Sequence, residues 1–113
     1  MDFFFTETEI FTKKIKEFIG QNEYRLLQTE LIKRPDLGNV IPGGKGIRKL
    51  RWSLQGKGKR GGIRVLYYFF RSEHEIYMLY VFKKSKQEDL TREQLSTLVG
   101  HVKSHLKGEE THL

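Results

Sequence analysis

Apolar residues along this chain change period several times, and each change marks an element. Phe3, Phe4 and Phe5 form a short aromatic strand, closed by Thr6-Glu7-Thr8. Ile10, Phe11, Ile15, Phe18 and Ile19 then recur near every 3.6 residues, which predicts an amphipathic helix with Thr8 as its N-cap and Gly20 as its stop. Tyr24, Leu27 and Leu31 predict a second helix, capped by Asn22 and ended by Pro35. Only Gly20 and Gln21 separate the two, so they form a hairpin. Residues 36–46 read as loop, with Pro42-Gly43-Gly44 as the turn signal.

The period then falls to two. Leu50, Trp52 and Leu54 alternate with Lys49, Arg51 and Ser53, which gives a strand with one apolar and one cationic face. Ile47 is out of phase, pointing to a bulge or a later strand start. Ile63 to Phe70 is apolar or aromatic at every position but Arg64 and reads as a central strand covered on both faces. Arg71 to His74 is a hairpin turn, and Ile76 to Phe82 returns as the next strand, ending in Lys83-Lys84. Pairing about Ser72-Glu73 sets Phe82 and Lys83 beside Arg64 and Ile63, so Lys83 and Lys84 meet the cations of residues 57–60. Thr91 and Gln94 form a capping box, Leu90 can staple onto Leu95, and Leu95, Leu98, Val99, Val102 and Leu106 make the stripe of a last helix ended by Gly108. Helices grouped beside a mainly antiparallel sheet make the fold α+β in a single domain over residues 1–113.

Charge alters this picture more than composition does. The chain carries 21 basic and 14 acidic residues, net +7. Nine of the cations lie between Leu37 and Ser72, where there is no acid: Lys45, Arg48, Lys49, Arg51, Lys57, Lys59, Arg60, Arg64 and Arg71. Outside that block 12 basic residues face 14 acidic ones. One continuous third of the chain therefore holds the positive charge, the pattern of a polyanion site.

At its centre lies Gln55-Gly56-Lys57-Gly58-Lys59-Arg60-Gly61-Gly62. This is not a nucleotide-binding P-loop: the G-x-x-x-x-G-K-[ST] spacing is missing, and strands flank it. It is either a soluble hairpin loop or a phosphate cradle in which glycines let backbone N–H groups approach an anion. Arg64 bears on that choice. A guanidinium among apolar sheet positions needs either a protein carboxylate or a ligand phosphate, and no acid lies within seven residues on either side. Tyr67, Tyr68, Tyr77 and Tyr80 line the same strands, and rings beside cations suit RNA, although core packing claims part of any such set.

Other chemistries find little support. His101 and His105 have a metal-ligand spacing on the last helix but no third ligand, so a solvated face is the simpler reading. Neither a Ser/His/Asp arrangement nor a pair of inward carboxylates is present. There is no cysteine, which fits a reducing compartment. The N-terminus lacks a basic segment followed by a long apolar run, and apolar runs such as Val65 to Phe70 are far too short for a membrane span. A cytoplasmic location without membrane contact is expected, and no cofactor.

The motif G-K-G-K-R-G-G-x-R-V-x-Y-Y-F, between a basic I-R-K-L-R strand and an aromatic strand ending F-K-K, resembles the HigB branch of the RelE/ParE toxin superfamily. These are toxins of bacterial type II toxin–antitoxin modules. The resemblance implies a small sheet with helices packed on it and metal-independent, ribosome-dependent cleavage of mRNA in the A site. It implies as partners the ribosome, mRNA and a HigA-like antitoxin with a helix-turn-helix. It assigns the chemistry to Lys57, Lys59, Arg64, Lys83 and Lys84, and RNA binding to Lys45, Arg48, Lys49, Arg51, Arg60, Tyr80 and Phe82. The RelE catalytic tyrosine has no clear counterpart near Phe82 or Lys83. In such a reaction the 2′-hydroxyl attacks the adjacent phosphate, a base takes its proton, and an acid protonates the leaving 5′-oxygen. Two other readings stay open: a gyrase-poisoning ParE-type toxin, and an RNA-binding module without chemistry.

Overall fold

The computed structural model describes residues 2–54, 62–87 and 89–110. Lys57, Lys59 and Arg60 lie outside the described residues. The elements are β1 (Phe4–Glu7), α1 (Glu9–Phe18), α2 (Gln21–Lys33), β2 (Asn39–Val40), β3 (Arg48–Trp52), β4 (Ile63–Phe70), β5 (Glu75–Lys83) and α3 (Arg92–Glu110). One five-stranded sheet runs in the order β1-β5-β4-β3-β2. All its pairings are antiparallel except β1 with β5. The fold is α+β, as the pattern predicts.

β4 is apolar or aromatic at every position but Arg64 because helices bury both faces of the sheet. On one side α1 and α2 bring Phe11, Ile15, Leu27 and Leu31 against Val65, Tyr67, Ile76 and Met78. On the other, Leu98 and Val102 of α3 pack on Leu66, Phe70, Tyr77 and Leu79. Phe11 and Tyr24 touch across the α1–α2 hairpin, ring centroids 5.9 Å apart.

Several local expectations are revised. Thr8 does cap α1, accepting from the Phe11 N–H at 3.1 Å. Gly20, however, does not stop α1. The helix ends at Phe18 with an extended Ile19, and Gly20 is instead the N-cap of α2, its carbonyl accepting from the Tyr24 N–H at 3.0 Å. Asn22 therefore lies inside α2. Gly108 does not end α3, which continues to Glu110; one glycine costs a helix only about 1 kcal/mol. Residues 39–40, expected in a loop, add an edge strand to β3. Ile10, counted on the buried face of α1, is 45% exposed. The capping box on α3 is complete: the Thr91 N–H donates to Gln94 Oε1 and the Gln94 N–H to Thr91 Oγ1, both at 3.0 Å.

The β4–β5 register decides the site. Near the turn Phe70 pairs with Glu75 and Tyr67 with Met78. A bulge follows, and beyond it Leu66 pairs with Tyr80, Arg64 with Phe82 and Ile63 with Lys83. A hairpin centred on Ser72-Glu73 reaches this last pairing only to within one position, and the bulge supplies the difference. The bulge places Leu79 and Tyr80 in succession on the α3 side, so β5 contributes Tyr77 and Leu79 to that face before it and Tyr80 and Phe82 after it.

Candidate nucleic-acid interface

Residues directly opposite on neighbouring strands share a face. Lys49 lies opposite Leu66, Arg51 opposite Arg64, and Arg64 opposite Phe82. Leu66 and Phe82 belong to the α3 side, so Lys49, Arg51 and Arg64 stand on that face as well. α3 covers its upper part and leaves the cationic end beside the N-terminus of the helix.

Arg64 is only 7% exposed, while Arg51 across from it is open to solvent. Among the described residues Arg64 makes no salt bridge. Its guanidinium reaches the Ile63 carbonyl at 3.5 Å. Burial, and after it the like charge of Arg51, draws the guanidinium below its ordinary value, with Asp89 offsetting part of the effect. It stays charged at any physiological pH. A buried cation with no ion-paired carboxylate among the described residues suits the electrostatic stabilisation of a phosphate.

Gly62 is held tightly at this end of the sheet. Gly62 lies so close to β3 that a Cβ there would stand 2.6 Å from the Trp52 carbonyl oxygen. Its own carbonyl accepts from the Lys84 N–H at 3.4 Å. Trp52 and Gly62 thus lie together at the end of the sheet that holds Arg51, Arg64 and Lys84.

The other candidates part company. Lys83, which the resemblance groups with Arg64 in the chemistry, pairs with Ile63, whose side chain belongs to the α1–α2 side. The pleat puts successive residues on opposite faces, so Lys83 and Arg64 do not share one. Arg48 also stands on the α1–α2 side, opposite Tyr67, and donates to the Gly38 carbonyl at 2.8 Å and the Asp36 carbonyl at 3.4 Å. Phe82 is 3% exposed. Tyr80 is half-buried with the Lys14 ammonium 5.6 Å from its ring centre. Tyr67 is core, its hydroxyl donating to the Pro35 carbonyl at 2.7 Å and accepting from the Gly38 N–H at 2.8 Å. Lys45 is exposed on the turn before β3.

Two residues enter that sequence reading missed. Asp89 accepts from Lys49 Nζ at 3.1 Å and from the Leu90 N–H at 2.8 Å. The Leu90 hydrogen bond first, and then Lys49 and Lys84, holds its carboxyl below the ordinary carboxylate value. The capping arrangement fixes it, since Gln87 Nε2 donates both to the Asp89 carbonyl and to Gln94 Oε1. An acid just ahead of a strong helix cap was the available signal. His105 is the other. It is not on a solvated face: its Nε2 lies 2.8 Å from Glu75 Oε2, and its ring packs on Tyr77 and Phe70 at 4.5 and 5.2 Å. Among the described residues no group of three potential ligands could hold a metal ion, and no helix is long and apolar enough to cross a membrane.

The family model of the RelE toxin of the RelE/RelB toxin–antitoxin system matches residues 8–113. The chain belongs to the RelE toxin family. Solved structures share the fold at low sequence identity. The intact E. coli RelBE toxin–antitoxin complex contains a chain 16% identical, with TM-score 0.51, covering 73% of this chain and 96% of its own. A doubly substituted E. coli RelE bound to a peptide of the antitoxin RelBc is 18% identical, with TM-score 0.54, over 81% of this chain and 98% of its own. The isolated E. coli RelE toxin is 16% identical, with TM-score 0.51, over 89% and 99%. In this member of the RelE family, the open cationic end of the α3 face is the candidate site.

Proposed function

We propose that this RelE-family toxin is a ribosome-dependent mRNA endonuclease of the HigB branch, acting in the cytoplasm on mRNA in the ribosomal A site. The observation that carries the reading is Arg64: a buried guanidinium with no salt bridge among the described residues, facing the same way as Arg51 and Lys49. A cation so placed is matched by a phosphate supplied by a substrate. The motif of residues 56–69 supports the branch.

The 2′-hydroxyl of the message attacks the adjacent phosphate, and the 5′-oxygen leaves. Arg64 clamps the phosphorane, whose charge grows on non-bridging oxygens. It gives up no proton, so the proton transfers fall to Lys57, Lys59 and Lys84. Arg51, Lys49 and Arg60 hold flanking phosphates. Asp89 occupies Lys49 until RNA displaces it.

The partner that restrains this activity is a cognate antitoxin, since E. coli RelE is found with RelB. We assign the antitoxin to the HigA-like type and expect an acidic contact surface, so association should slow as salt is raised. Primer extension on mRNA from cells briefly expressing the protein tests the function. In-frame cuts within translated codons support it, whereas intact mRNA with DNA damage would establish a ParE-type toxin.

A further inference from the structure

The two flanks of α3 differ in charge. The flank toward β5 is lined by Tyr80, Glu93, Thr97 and His101. The flank toward the turn at 42–46 forms a groove of about 330 Å³ whose charged lining among the described residues is wholly basic: Lys45, Arg92 and Lys103, over half-buried Leu95 and Val99. Arg92 and Lys103 lie outside the basic block of the sequence. Only the packing of α3 brings them to Lys45.

Lys45 is held there by an unusual backbone. Its φ is 52°, in the left-handed region, between Gly43 at 77° and Gly46 at 100°. Hydrogen bonds lock the turn: the Gly44 N–H to the Ile41 carbonyl at 2.9 Å, the Ile47 N–H to the Gly44 carbonyl at 3.1 Å, and the Ile41 N–H to the Ile47 carbonyl at 2.9 Å. A side chain is disfavoured at such a position, where glycine would sit without strain. That a lysine occupies it points to a use for the charge.

We propose that this groove is a second RNA site, which grips sugar–phosphate backbone outside the cleavage centre. The inference rests on the RNA-directed reading above. Arg92 follows Asp89 by three residues, at most about 11 Å of chain, and Asp89 binds Lys49. The groove therefore opens beside the first site. From Arg92 to Lys103 it follows about 16 Å of helix, enough for more than one phosphate. Its chemistry favours backbone over peptide. Among the described residues, none of the exposed large apolar side chains (Phe4, Ile10, Leu26, Ile32, Val40 and Leu106) lines it, and Leu95 and Val99 are only half-exposed, so the groove offers charge more than apolar anchorage. Among the described residues no aromatic ring lines it, so it offers no stacking surface for bases.

The test is the salt dependence of affinity for vacant ribosomes and, separately, for a single-stranded RNA oligomer. The variants are Lys45→Gly alone and Lys45→Gly/Arg92→Gln/Lys103→Gln. The triple variant should lower the slope of log affinity against log salt by about two to three. A drop on ribosomes alone identifies the ligand as ribosomal RNA; a drop on the oligomer alone identifies the message strand. No drop in either arm overturns the proposal. Lys45→Gly should melt at or above wild type and lower the slope by about one. If it melts lower with the slope unchanged, Lys45 serves the fold and the site is lost. Cleavage by wild type on translating ribosomes is scored separately: intact mRNA with the expected slopes would sink the nuclease reading and leave the groove standing.

Discussion

Arg51 and Arg64 stand directly opposite each other on β3 and β4, two like charges at one rung of the sheet. Such a pair is unfavourable in an isolated fold. Replacing Arg64 by Met keeps the apolar stem and removes both the repulsion and the buried charge. Arg64→Met should melt at or above wild type, yet cleave mRNA on programmed ribosomes about 10²–10³-fold more slowly. A fall in melting temperature would make Arg64 a structural residue. Full-speed cleavage would move the active site elsewhere.

Asp89 gives a pH dependence with a definite sign. Its folded carboxyl titrates below the ordinary 3.8, because the Leu90 N–H and then Lys49 favour the charged form. It therefore stabilises the fold above that ordinary value, and the contribution is lost as pH falls through the lower folded one. Asp89→Asn keeps an acceptor for Leu90 but no charge. Its melting temperature should lie below wild type from about pH 5 upward and converge with it under strongly acidic conditions. The gap should shrink in high salt, since the Asp89 side chain is 63% exposed. Melting curves from pH 2.5 to 7 decide it, and a gap that widens toward acid would refute the assignment.

His105 ties the second half of α3 to the sheet. His105→Ala removes a hydrogen bond to the buried Glu75 and contacts with two rings, which should lower stability by roughly 1–3 kcal/mol. Thr6 Oγ1 would still donate to that carboxylate. Amide exchange should speed up in residues 99–107 before it does in β4. Uniform acceleration across the protein would show instead that α3 and the sheet open as one unit.

Gly62→Ala places a methyl group against the Trp52 carbonyl oxygen, an atom of backbone that cannot swing aside. The β3–β4 ends must part there, at a cost of about 1–3 kcal/mol. Because Gly62 stands two residues from Arg64 and its carbonyl holds Lys84, cleavage should fall further than stability alone explains. The check is activity measured well below the melting temperature of the variant. Normal activity there would mean that the close approach at Gly62 does not position the chemistry.

Local pattern determined most of the architecture. Periods near 3.6 and 2 placed the three helices and the main strands, because burial of one face imposes its repeat on the sequence. A hairpin about Ser72-Glu73 carried Arg64 to within one position of Phe82, with the bulge supplying the last step, and the acid-free run from Leu37 to Ser72 marked the site. What sequence left open depended on distance in space. The face of Lys83 follows from pleat parity at its pairing with Ile63. The pairing of Lys49 with Asp89 and of His105 with Glu75 spans 40 and 30 residues. No local period encodes such contacts, because they arise only when α3 folds back over the sheet. The same step brings Arg92 and Lys103 to Lys45, and so makes a basic groove from cations that lie 47 to 58 positions apart in the chain.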